Sequence, residues 1–157
     1  MEKNRFLDAF NKTLILVILI NSLWFCSLPR FIVLHDPLTP EEHINLGMVY
    51  EKNKEFDEAL KEYSAASKDL PIAYLYMGNL FFQQKDYENA EKNYKKAITY
   101  TNDAKAYNNL AWLYYTIDKN LDEALELAKK AVELSGGANE FRDTLERITE
   151  EQKNRNQ

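Results

Sequence analysis

Cysteine is nearly missing from this sequence, with Cys26 the only one in 157 residues. That excludes an internal disulfide and any zinc cluster built on thiolates. Histidine is almost as scarce: His35 and His43 have no cysteine partner and no HExxH spacing, so no metal site is expected. His43 is read as packing at the start of a helix. Four glycines in the whole chain leave no Gly-rich phosphate loop and no GxSxG turn. The carboxylate pairs Asp57-Glu58 and Asp122-Glu123 sit at helix starts, where the macrodipole accounts for them. With no catalytic constellation, the chain is not read as an enzyme, and no cofactor or small-molecule substrate is expected. Clustered basic residues are missing as well. Residues 36–157 hold 16 basic and 23 acidic side chains, a net of −7, which argues against nucleic acid as a partner. Residues 1–35 carry a net of +2.

One long apolar run is present. Between Lys12 and Arg30 lie 17 uncharged residues, TLILVILINSLWFCSLP, near the short limit of the roughly 17–25 that a spanning helix needs. Phe31 to Leu34 lengthen the run, and Leu14 to Ile20 is apolar all round rather than on one stripe. An uncleaved membrane anchor over residues 13–34, behind a flank at 1–12, is the favoured reading. A cleaved or lipidated leader stays open, although Phe25 stands where a small residue is wanted before the cut. A helix buried in a soluble domain stays open too. Lys3, Arg5 and Lys12 precede the run, whereas Arg30 alone follows it closely, with Asp36, Glu41 and Glu42 beyond. The positive-inside rule then describes a single-pass membrane protein with a cytoplasmic N-terminus. The rest of the chain is expected outside the cytoplasm, in the periplasm of a bacterium.

Beyond a linker at 35–39 the chain is repetitive. In residues 71–100, Tyr74, Met77, Gly78 and Phe81 mark one helical face, Lys85-Asp86 breaks it, and Ala90, Tyr94 and Ala97 mark a second. The same grammar stands on either side of this unit. Gly47 to Gly78 is 31 residues, Gly78 to Ala111 is 33, and Ala90 to Ala124 is 34. A period near ~34 of paired short helices belongs to stacked repeats. Across residues 39–135 the chain resembles the tetratricopeptide repeat (TPR) family. Leu46-Gly47, Tyr50, Ala59, Ala66 and Pro71 stand where that motif places them. It departs at His43, where the motif has Trp, and in the third repeat, with Ala111 for Gly and Ala128 for an aromatic. The resemblance implies an all-α solenoid, a right-handed superhelix of antiparallel helix pairs. Its repeats are expected at 40–70, 71–103 and 104–135. Thr39, Pro40 and Glu42 read as a capping box opening the first helix. Ser135-Gly136-Gly137 reads as a stop, residues 138–153 as a capping helix with Phe141, Leu145 and Ile148 on one face, and 154–157 as a tail.

The resemblance also implies a groove lined by the first helix of each pair. Carried over by motif position, the lining is Glu41, Ile44, Met48 and Glu51, then Ile72, Leu75, Asn79 and Phe82, then Lys105, Asn108, Trp112 and Tyr115. The groove residues singled out are Ile44, Met48, Leu75, Asn79, Phe82, Asn108, Trp112 and Tyr115. Members that clamp a C-terminal carboxylate do so with basic and Asn side chains. Here Ile44 and Met48 replace two of them, Lys105 matches, and Asn109 replaces the last arginine, so such a clamp is disfavoured. The implied function is a membrane-anchored adaptor that holds a protein or peptide partner in its groove. Residues 36–63 further resemble repeat modules of exported bacterial proteins, which implies assembly of a cell-envelope complex. The alternative is a self-associating structural tether whose groove binds no peptide.

Overall fold

Thr39 opens the first helix as its spacing from Glu42 predicts. The Thr39 amide donates to the Glu42 carboxylate (2.7 Å), and the Glu42 amide donates to Thr39 Oγ1 (3.2 Å). The computed structural model describes residues 36–157, and the expected anchor at 13–34 and its flank at 1–12 lie outside them. Seven helices and no strands are found among the described residues: α1 Pro40–Lys52, α2 Phe56–Ala66, α3 Ala73–Gln83, α4 Tyr87–Thr101, α5 Ala104–Thr116, α6 Leu121–Leu134 and α7 Asn139–Arg155. None of them is long and apolar enough to cross a membrane. α1 packs on α2, α3 on α4 and α5 on α6, and the pairs join through α2–α3 and α4–α5. The result is an all-α solenoid of helical hairpins. α7 packs on both α6 and α5, the place that the first helix of a further pair would take. Phe141 and Ile148 bury its inner face, and Leu145 packs beside them. The helix runs two residues beyond the expected 153, held there by Arg155, whose guanidinium pairs with Asp118 (2.6 Å) and Glu151 (2.9 Å).

The turn inside each pair repeats one backbone device. Lys54, Lys85 and Asp118 all adopt left-handed φ, at 64°, 61° and 54°. In each, the next amide reaches back to the carbonyl five residues earlier: Glu55 to Tyr50 (2.9 Å), Asp86 to Phe81 (2.9 Å) and Lys119 to Tyr114 (2.8 Å). This closes the first helix and reverses the chain in three or four residues.

Packing within the first two pairs rests on a glycine facing a tyrosine. Tyr63 of α2 and Tyr94 of α4 are buried, and each ring lies directly on the backbone of the helix it faces. A Cβ on Gly47 would stand 2.5 Å from Tyr63 Cε1, and one on Gly78 would stand 2.5 Å from Tyr94 Cδ1. Only a residue without a side chain admits the ring that close. The third pair solves the same crossing with Ala111 and Ala128, both fully buried. Ala59, Ala66, Ala90, Ala97, Ala124 and Ala131 are likewise fully buried, which lets the helices approach along the rest of each crossing.

Candidate functional site

The tyrosines that fill these crossings do not stop at the core. Each sends its hydroxyl through to the face formed by α1, α3 and α5. Tyr63 donates to Glu51 Oε2 (2.8 Å), and Tyr94 donates to Asn79 Oδ1 (3.0 Å). Burial, reinforced by the Glu51 hydrogen bond and charge, pushes the Tyr63 hydroxyl well above its usual range. Burial does the same to Tyr94. Both therefore remain donors at any physiological pH. Asn109 Nδ2 makes a second bond to Asn79 Oδ1 (2.8 Å), tying α5 to α3, and Gln83 Nε2 donates to Glu51 Oε1, tying α3 to α1.

This polar spine floors a trough made of three adjoining cavities. The first, about 530 Å³, lies between α1 and α3 and is lined by Met48, Glu51, Tyr76, Asn79 and Gln83. The second, about 350 Å³, adds Phe82, Asn109 and Trp112. The third, about 220 Å³, runs past Asn79, Lys105 and Asn108 to Glu140 and Phe141 of α7. Asn79 borders all three, so they form one open channel across α1, α3, α5 and α7.

The expected groove residues divide by depth. Met48 is 48% exposed at the α1 end, Phe82 and Trp112 form the apolar wall of the second cavity, and Asn108 borders the third. Ile44 and Leu75 lie deepest. At 7% and 6% exposed both belong to the helix-packing cores, and Leu75 also shows its edge to the third cavity, whereas Ile44 lines none of the three. Tyr115 lines none of the three cavities and stands behind Trp112 at a ring separation of 5.2 Å. Asn79 is partly committed to the fold. Its oxygen already takes two donors, which leaves its amide N–H groups to face the trough. Asn108 Oδ1 is buried without a donor. Gln83, Asn109 and Glu140 were not among the expected site residues; Glu51 was placed in the groove by motif position without being singled out.

A second carboxylate, Glu91 of α4, is held very differently. Burial opposes its ionisation, but Lys119 (2.6 Å), Lys95 (2.8 Å) and the Tyr114 hydroxyl (2.9 Å) overcome this and hold its pKa down to about 2. A depressed carboxylate stabilises the fold fully above its ordinary value of 4.5, and the contribution disappears as pH falls through about 2. Glu91→Gln is expected to cost about 1–2 kcal/mol at pH 7, allowing for solvent screening of the two half-exposed lysines. Urea melts of variant and parent should differ at neutral pH and converge toward pH 2. A constant difference across that range would contradict the assignment.

Among the described residues no group of His, Cys, Asp or Glu is arranged to hold a metal ion. A family model described as Tetratricopeptide repeat matches residues 69–135, and a second of the same description matches residues 43–68. No curated protein matches the sequence. Among solved structures, the Sgt2 TPR domain from Aspergillus fumigatus is similar with a TM-score of 0.68 at 19% identity, over 74% of this chain and 81% of that one. The first TPR of Spaghetti (RPAP3), bound to the HSP90 peptide SRMEEVD, gives 0.64 at 20% identity over 75% and 96%. The Arabidopsis OM64 TPR domain gives 0.64 at 19% identity over 72% and 96%. At these identities the likeness is one of fold.

Proposed function

Residues 43–135 of this chain are tetratricopeptide repeats, and on that premise we propose that the protein is an adaptor holding an extended segment of a protein partner in the trough. One observation carries the reading. Phe82, Trp112 and Asn79 converge on a single open cavity, with the Asn79 oxygen pinned by Tyr94 and Asn109 so that its amide donors face outward. Such a preformed surface binds with little ordering cost on its own side. The Spaghetti structure, similar in fold, has a peptide bound. In the same reading the apolar run at 13–34 tethers the repeats to a membrane, and Lys3, Arg5 and Lys12 keep the N-terminus cytoplasmic. The partner then belongs to an envelope complex assembled on the far side.

A photo-crosslinking amino acid placed at Met48 in the intact protein tests this in cells. It should yield one discrete adduct with another protein, whereas the same probe at Lys92, exposed on α4 and outside the three cavities, should not. An adduct with a second copy of the chain would instead support a self-associating tether. Equal labelling from both positions would contradict a trough-specific partner.

A further inference from the structure

Glu51 and Glu91 make a natural comparison. Each is a partly buried carboxylate that accepts a tyrosine hydroxyl, from Tyr63 at 2.8 Å and from Tyr114 at 2.9 Å. Glu91 completes its shell with two ammonium groups, from Lys95 and Lys119. Glu51 has the neutral amide of Gln83 instead. Among the described residues no lysine, arginine or histidine stands within ion-pair distance of Glu51. Lys52 borders the same cavity without reaching it. Two of the roughly four acceptor positions of the carboxylate are taken. The rest face the trough, since Glu51 lines both of its larger cavities.

A partly desolvated carboxylate without a counter-charge is an unfavourable arrangement that a bound cation relieves. Resting on the trough's being the binding site, we propose that its occupant is an extended segment bearing an arginine or lysine. The cation pairs with Glu51, and an apolar side chain further along the segment seats against Phe82 and Trp112. A guanidinium meets this site in two ways. It forms paired N–H···O bonds to the carboxylate, and its planar face stacks on an aromatic wall, the Tyr76 ring of the same cavity. The net −7 of residues 36–157 draws the same class of partner toward the trough. An acidic segment meets the reverse. Its carboxylates face the Glu51 charge, and Lys105, the lysine at the third cavity, shares that cavity with Glu140.

The test is selection from a positional-scanning library of acetylated, amidated decapeptides on the immobilised full-length protein. Arg or Lys should be enriched several-fold at one position, and Leu, Met, Phe or Trp at another, with Asp and Glu depleted at the first. Glu51→Gln keeps an acceptor oxygen for the Tyr63 hydroxyl, its new amide N–H meets the Gln83 oxygen once that amide turns over, and the change should erase the basic preference alone. Trp112→Ala should erase the apolar preference alone. A readout that needs no substitution is salt. Affinity of the enriched peptide should fall several-fold between about 0.05 and about 0.5 M NaCl, and that of its Arg→Gln analogue should not. Apolar enrichment without a basic preference, or a preference for acidic residues, overturns this inference and leaves the trough standing as the site. Selection that Trp112→Ala does not alter overturns the trough reading itself, and the inference with it.

Discussion

Replacing Gly78 with alanine is expected to destabilise the protein by about 1–3 kcal/mol, although the position is helical and alanine is the better helix former. The added methyl would stand 2.5 Å from both Cδ1 and Cε1 of Tyr94. That ring is 2% exposed and hydrogen-bonded to Asn79 at its far end, so it cannot swing away cheaply. Tyr94→Ala alone should cost about 3–5 kcal/mol, the usual loss for a buried aromatic. The two effects should not add. Once the ring is gone, the Gly78 methyl has space, and the double variant reproduces the Ala111–Ala128 solution that the third pair already uses. A coupling of about 1–2 kcal/mol in a urea double-mutant cycle is the expected result. Strict additivity would show that the glycine is not there for the ring.

Much of this architecture is legible in the chain because it is written locally. The stripe of Tyr74, Met77, Gly78 and Phe81, followed by Ala90, Tyr94 and Ala97, states a helical hairpin without tertiary information. The Thr39 capping box is equally local and is present as spaced. The turn geometry is not legible in the same way. Lys54 and Lys85 take a left-handed conformation that favours glycine or asparagine, and neither residue advertises it. Helix packing on both sides imposes the reversal, and the local preference yields to it.

The site was legible in outline and not in depth. Motif position puts Ile44 and Leu75 on the groove side, yet Ile44 is packed into the helix interface and Leu75 shows the third cavity only an edge, and periodicity alone cannot distinguish the floor of a groove from its lining. Asn79 and Trp112 sit where the pattern placed them, at the centre of the channel. What no local pattern reveals is which side chains reach across. Tyr94 meets Asn79 from another helix, Asn109 meets it from a third, and Gln83 meets Glu51 across 32 residues of chain. The contrast between Glu51 and Glu91 depends on the reach of Lys95 and Lys119, which only the folded arrangement determines.

The trough is tested most directly by the affinity of the captured partner segment for Trp112→Ala, measured by fluorescence anisotropy beside the parent and with thermal melts of both. Trp112 is half-buried against Tyr115 and presents the rest of its indole to the second cavity. A large aromatic with few rotamers anchors a partner at low ordering cost, and its loss at the centre of an interface is worth about 2 kcal/mol or more, roughly 30-fold in Kd. Asn79→Asp is the companion variant. It keeps the acceptor for Tyr94 and Asn109 while removing the outward amide donors. Trp112→Ala should bind more weakly by about 30-fold or more, and Asn79→Asp, compared at about 0.5 M NaCl so that its added charge is screened, should also bind more weakly, both melting within a few degrees of the parent. A Trp112→Ala variant that stays folded and binds the segment with the parent's affinity would contradict the trough as the binding site.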